Sequence, residues 1–136
     1  MTTVIFACVH NAGRSQMAAA FFNQLADPHA AVALSAGTAP GPEVHPVVVI
    51  AMAEVGLDLR GTTPQHLTPA LAARADMLVT MGCGEACPVV PGVIRDDWPL
   101  DDPKRKSADE VRRIRDEIRA RVARLVADRQ WGRPAM

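Results

Sequence analysis

Apolar and polar positions along this chain change period several times, and the changes mark out elements. Residues 3–7 form a short run rich in β-branched side chains and read as a strand. From 15 to 25, Met17, Ala18, Phe21, Phe22 and Leu25 lie along one side of a helix, which predicts strand, loop and helix in close succession. Residues 31–36 predict a weaker second strand. A second helix is predicted over 46–55, with Pro46 accommodated in its first turn and Gly56 ending it. Thr68-Pro69 opens a short third helix through about Arg74, residues 77–81 read as a third strand, and only Val93 and Ile94 remain for a fourth. Val111, Ile114, Ile118, Val122 and Leu125 follow steps of three and four, predicting a last amphipathic helix from about Ser107. Strands separated by helices imply an α/β fold with a parallel sheet covered on both faces and functional loops at the carboxyl ends of its strands.

Composition narrows the class. With 49% apolar residues, 136 residues suffice for one compact domain over 1–136. Fifteen basic residues cancel fifteen acidic ones, so any anion must be held locally and not by a whole-molecule field. The balance is uneven, because residues 1–103 carry 4 basic and 10 acidic side chains and 104–136 carry 11 and 5. A basic tail can mark a nucleic-acid surface, but here the charges fall on an amphipathic helix. Asp109–Arg113 and Glu117–Arg121 are spaced as i,i+4 pairs with the acid first, so a solvated helix face is the better reading. The first residues lack the basic start of a signal peptide and no apolar run is long enough to span a bilayer, so a soluble, cytoplasmic protein is expected, without membrane or nucleic-acid partners and as a monomer. Three cysteines are too few for a secreted disulfide scaffold and point to a reduced compartment in which thiols do chemistry.

The most informative segment follows the first strand: Cys8-Val9-His10-Asn11-Ala12-Gly13-Arg14-Ser15. Five residues between a cysteine and an arginine, running into a helix, allow successive N–H groups to point into one concavity that binds a tetrahedral oxyanion. Gly13 is expected to allow a sharp local conformation, and Arg14 supplies a planar fork for two oxyanion oxygens. Cys8 must be a thiolate to attack; the positive surroundings favour that anion, and Ser15 can donate a hydrogen bond to it. A strand-end cysteine can also be a small buried hydrophobe, but its place six residues before an arginine at a helix start is that of a reactive thiol. Asn11 can hold the loop through its side-chain amide or be an ordinary turn residue. No side-chain role is assigned to His10.

A second group is Met81-Gly82-Cys83-Gly84-Glu85-Ala86-Cys87-Pro88. Zinc would need two further ligands, and His10, His29, His45 and His66 stand alone, without zinc-finger spacing. Structural burial is the other alternative, but flanking glycines and Pro88 read as a mobile segment and not a core element, so redox use of Cys83 and Cys87 as an exchanging pair is favoured. In Trp98-Pro99-Leu100-Asp101-Asp102-Pro103 the acids can simply form a turn before the last helix, but a thiolate displacing an oxygen leaving group needs a proton donor, and Asp102 is the candidate.

These stretches carry a resemblance. CVHNAGRSQMA (8–18), SAGT (35–38), VHP (44–46), DMLVTMGC (76–83), DDP (101–103) and RRIRDEI (112–118) are similar to arsenate reductases of the class related to low-molecular-weight protein tyrosine phosphatases, over nearly the whole chain. The phosphatases share Cys8, Arg14, Ser15 and Asp102 but typically have a cysteine where Gly13 stands and tyrosines after the Asp-Pro; this chain has no tyrosine. The resemblance implies a three-layer fold with a four-stranded parallel sheet. It also implies a mechanism in which arsenate sits in the loop 9–15, Cys8 attacks it, Asp102 protonates the departing oxygen, Cys83 then attacks Cys8, and Cys87 resolves the Cys8–Cys83 disulfide. The final Cys83–Cys87 disulfide would be reduced by thioredoxin, with no metal or organic cofactor entering, though some actinobacterial relatives use a mycothiol-based thiol instead. Some members also bind potassium through an acidic residue four after the loop serine; here that position is Ala19, so no potassium site is expected.

Overall fold

The computed structural model describes residues 1–82 and 87–134. Four strands, β1 (Thr2–Cys8), β2 (Ala31–Gly37), β3 (Met77–Thr80) and β4 (Ile94–Asp97), form one all-parallel sheet in the order β2-β1-β3-β4. The helices are α1 (Arg14–Leu25), α2 (Pro46–Ala53), α3 (Pro69–Ala72) and α4 (Ala108–Asp128). Helices cover both faces of the sheet, so this is the three-layer fold that the resemblance implies. No helix among the described residues is long and apolar enough to cross a membrane.

Strand β1 lies between two neighbours, and its alternation divides the core. Val4, Phe6 and Cys8 join the larger cluster, with Met17, Phe21 and Phe22 of α1, Val48 and Met52 of α2, and Val111, Ile118 and Val122 of α4. Ile5 and Ala7 face the smaller cluster with Leu67, Ala72, Leu78 and Cys87. Phe6 packs against both Phe22 (ring centroids 5.9 Å apart) and Trp98 (5.6 Å). Such pairs contribute roughly 0.5–1.5 kcal/mol each beyond their buried area. They tie the central strand to α1 on one side and to the start of the 98–103 segment on the other.

The fourth strand differs most from expectation. It begins at Ile94 and continues through Arg95, Asp96 and Asp97, all exposed, while Val93 lies outside it. It pairs with β3 only, so backbone bonding on one side creates a strand that apolar patterning does not announce.

Helix α4 begins with a full capping box, in which the Ser107 hydroxyl accepts from the Glu110 N–H and the Glu110 carboxylate accepts from the Ser107 N–H. Val111, Ile114, Ile118 and Val122 are buried as the periodicity requires, and Leu125 is half-buried. Of the two expected surface pairs, Glu117–Arg121 forms at 3.6 Å, but Asp109 pairs with Arg112 at 2.8 Å instead of Arg113. Arg112 is the residue turned toward α2, where it also meets Glu54 at 2.8 Å. Arg115, itself buried, reaches Glu54 (2.8 Å) and the Ala51 carbonyl (2.9 Å), so these two arginines of the basic segment serve to join α4 to α2.

Hydrogen bonds from Arg112, then from Arg115, hold the Glu54 carboxyl at about 2, against an ordinary value of 4.5. A depressed acid stabilises the fold fully above its unfolded value, and that contribution is lost as pH falls through the folded one. The difference in Tm between the wild type and Glu54→Gln is therefore expected to be greatest above pH 5 and to close toward pH 2, as thermal melts across that range would read.

Candidate active site

The loop between β1 and α1 is shaped by where its carbonyls go. Cys8 O accepts from Thr38 N (3.1 Å), Val9 O from Ala39 N (2.8 Å), His10 O from Gly41 N (2.9 Å) and Ala12 O from His45 N (2.9 Å). Gly13 O accepts from Met17 N in the first turn of α1 (3.0 Å), and Asn11 O from Gln16 Nε2 (3.1 Å). With every carbonyl from 8 to 13 engaged, the amides are left for the concavity. The Asn11 N–H donates to Cys8 Sγ at 3.3 Å, and no protein acceptor takes the N–H of His10, Ala12, Gly13, Arg14 or Ser15 among the described residues. Such a set of amides at a helix start is a nest for an oxyanion.

Two residues make the loop's path possible. Asn11 has φ 51°, the left-handed conformation that asparagine enters more cheaply than most side chains. Gly13, at φ −147° and ψ −89°, also takes an unusual local conformation, as expected of it. It serves close packing as well, since a Cβ there would stand 2.5 Å from Pro103 Cγ. That contact brings the Asp102-Pro103 segment onto the loop. At the end of β2, a Cβ on Gly37 would meet Val9 O at 2.6 Å, so the SAGT stretch lets the loop cross directly over the strand end.

Cys8 is a free thiol, 2% exposed. Its Sγ lies 2.9 Å from Ser15 Oγ, and Ser15 Oγ accepts from Asn11 Nδ2 at 2.7 Å. Because that oxygen already receives a hydrogen, its own proton is free to point at the sulfur. Buried Arg14 donates through Nη1 to Leu100 O (3.1 Å), and its Nη2 lies 3.6 Å from Asp102 Oδ2. Half-exposed Asp102 also accepts from Lys104 N through Oδ1 (3.0 Å), so both its oxygens are oriented. Gly82, at φ 99°, lies against the guanidinium, so closely that a Cβ there would collide with Arg14 Nη1.

The fold thus brings Cys8, Asn11, Gly13, Arg14, Ser15 and Asp102 together. His10 donates from Nδ1 to the Ala39 carbonyl at 3.1 Å, a tether for the loop's outer side. Contrary to the expectation that this pair stands outside the core, Cys87 is 3% exposed, disulfide-bonded, and packed into the smaller core cluster, with Ile5, Ala7 and Leu78, on the sheet face away from Cys8. Cys83 lies outside the described residues. A cavity of about 760 Å³ opens beside the site, lined by Gly82, Cys87, Val89, Trp98 and Pro99 among others. Ala19 is buried, and no cluster of three metal-ligating side chains occurs among the described residues.

Several contributors have no sequence motif of their own. Gln65 N donates to Asn11 Oδ1 at 3.0 Å from a segment fifty-four positions away, and Gln16 reaches back to the same residue. The sequence did not single out Gln16, which follows two other polar residues, Arg14 and Ser15, at the start of α1. His45, in the VHP stretch, lies against Gly13. Burial holds its imidazole below the ordinary value, with Asp102 the strongest influence in the opposite direction.

Comparison with known proteins shows the family. The sequence profile of the low molecular weight phosphotyrosine protein phosphatase family matches residues 3–131. A putative arsenate reductase of Halobacterium salinarum is 39% identical over 124 residues, covering 88% of this chain and 87% of that protein. A glutaredoxin arsenate reductase of Synechocystis is 33% identical over 130 residues, covering 93% and 98%. The structure of a thioredoxin-dependent arsenate reductase of Corynebacterium glutamicum superposes with a TM-score of 0.80 at 35% identity, over 96% of this chain and 62% of that longer one. By profile, relatives and fold, this chain belongs to the low molecular weight phosphotyrosine protein phosphatase family, and within it to the arsenate reductase class.

Proposed function

We propose that this protein reduces arsenate to arsenite through a thiol adduct and a disulfide relay, recycled by thioredoxin. Arsenate occupies the nest of amides from Val9 to Ser15, with the Arg14 fork on two of its oxygens. The Cys8 thiolate attacks arsenic while Asp102 protonates the departing oxygen, which leaves as water. The thiolate of Cys83 then attacks Cys8 Sγ; a sulfur–sulfur bond forms, the sulfur–arsenic bond breaks, and its electron pair leaves with arsenic as arsenite. Cys87 attacks Cys83, expelling Cys8 as thiolate, and the remaining disulfide passes to an external dithiol.

One observation carries this reading. The loop holds a free thiol among inward amides while the same chain has Cys87 in a disulfide, the oxidised product of a thiol relay, for which hydrolysis of a phosphate ester has no use. Cys8 and Cys87 belong to clusters on opposite faces of the sheet, so the relay requires the segment after β3 to rearrange between steps.

The test is NADPH consumption by thioredoxin reductase and thioredoxin on addition of arsenate, with arsenite measured alongside. Matching formation of arsenite and loss of NADPH is expected. A phosphatase is the second reading, favoured by the family profile and a loop that suits phosphate equally. Rapid hydrolysis of an aryl phosphate without any thiol reductant, together with no arsenite, would replace the first reading by the second. The relatives divide between a thioredoxin-dependent and a glutaredoxin arsenate reductase, so substituting glutaredoxin and glutathione in the same assay decides the donor.

A further inference from the structure

We propose that Gln16 is a positioning residue for the Cys8 nucleophile: by donating to both oxygens of Asn11 it holds, together with the Gln65 N–H, the Asn11 side chain in a hydrogen-bond chain that ends with the Ser15 hydroxyl donating to the sulfur. Gln16 stands in the first turn of α1 and is 3% exposed. Its Nε2 lies 3.1 Å from Asn11 O and 3.1 Å from Asn11 Oδ1. A carboxamide nitrogen has two hydrogens, one for each oxygen, and the two facing acceptors fix which end of the Gln16 amide is turned inward.

The Asn11 amide is fixed by the same logic. Its Oδ1 receives Gln16 and also the Gln65 backbone N–H at 3.0 Å, a donor that cannot turn into an acceptor. Its Nδ2 must therefore face Ser15 Oγ, at 2.7 Å. Ser15 Oγ accepts there and has one hydrogen left, with Cys8 Sγ 2.9 Å away. Gln16 thus acts on the sulfur through two intermediaries. Gln16 has a second task in the same place: of the six loop carbonyls, only that of Asn11 is satisfied by a side chain, and Asn11 is the loop's left-handed residue. An orphaned carbonyl at that point would loosen the loop where the chain has least conformational preference to hold it.

Gln16→Glu has the same shape but turns a carboxylate toward two oxygens. Asn11 cannot answer by reversing its amide, because Nδ2 would then face the Gln65 N–H; the repulsion instead pushes its side chain away, Nδ2 leaves Ser15 Oγ, and the hydroxyl is no longer held toward the sulfur. The proposal rests on Cys8 being the nucleophile, and its test uses no arsenate. Fully reduced protein is treated with iodoacetamide between pH 5 and 9, and alkylation of Cys8 is followed by the mass of the tryptic peptide of residues 1–14. In Gln16→Glu the rate profile is expected to move to higher pH, with alkylation at pH 6 slowed about tenfold, the scale for one hydrogen bond to a charged group. In the Ser15→Ala background the same substitution is expected to change the rate less than about twofold, because the route to the sulfur is already cut. Gln16→Met, which removes the donor without adding charge, is read in the same way and stands in if Gln16→Glu does not fold. An unchanged profile in both variants, or the same slowing with and without Ser15, overturns the proposal. A protein that alkylates as expected but forms no arsenite overturns the reductase reading and leaves Gln16 in its role.

Discussion

Cys87→Ser, supplied with arsenate and thioredoxin, is expected to release at most one arsenite per molecule and then stop, while Cys8→Ser releases none. The difference follows from which bond each sulfur makes. A serine hydroxyl at position 8 is far less acidic than a thiol, so no adduct forms, and an oxygen there would offer Cys83 no sulfur to attack, so arsenic is not reduced. With Cys87 absent, adduct formation and attack by Cys83 still proceed, but the Cys8–Cys83 disulfide has no internal thiol to open it. Cys8 is 2% exposed, which shields its half of that bond from a bulky external reductant. Arsenite measured against protein in a rapid-quench series separates the two variants. Sustained turnover by Cys87→Ser would mean that an outside thiol reaches the first disulfide directly, and the internal relay would have to be abandoned.

Arg14→Lys is expected to lower kcat/KM for arsenate by about 10²–10³-fold, the range for losing one preorganised donor to a developing oxyanion. The positive charge is retained, so the size of the loss measures geometry. Arg14 is buried with Nη1 on Leu100 O at 3.1 Å and Nη2 beside Asp102, and a lysine ammonium cannot hold that peptide and two oxyanion oxygens in one plane. Initial rates over a range of arsenate concentrations check this. A loss confined to KM would mean that arginine supplies uniform binding, whereas the in-plane fork implies that kcat falls as well. Gly82 is part of the same arrangement, because the guanidinium lies in space that any side chain there would fill.

The elements that carry the site were legible because their signals are local. A β-branched run ending in cysteine, five residues, then arginine and a helix with apolar residues on one side required no distant partner to be recognised, and β1, the loop and α1 follow that plan. Strand β4 was nearly invisible, since Arg95, Asp96 and Asp97 are exposed and only backbone pairing with β3 makes them a strand. The pairing of Asp109 with Arg112 depended on where Glu54 lies, a tertiary fact that helical spacing does not contain. Gln65 and Leu100 act through a backbone N–H and a carbonyl, which every sequence position supplies and none advertises. Cys83, expected as the first resolving thiol, lies outside the described residues.

Position 11 answers two demands that are usually met by different residue types. The backbone at φ 51° is cheap for glycine and tolerable for asparagine or aspartate. The side chain must also accept from Gln65 and Gln16 at one end while donating to Ser15 at the other. Glycine has no side chain, ionised aspartate has no hydrogen to give, and glutamine carries the right amide on a stem one methylene too long. Only one of the twenty amino acids fits both, so within this loop the choice of asparagine is as constrained as the choice of nucleophile.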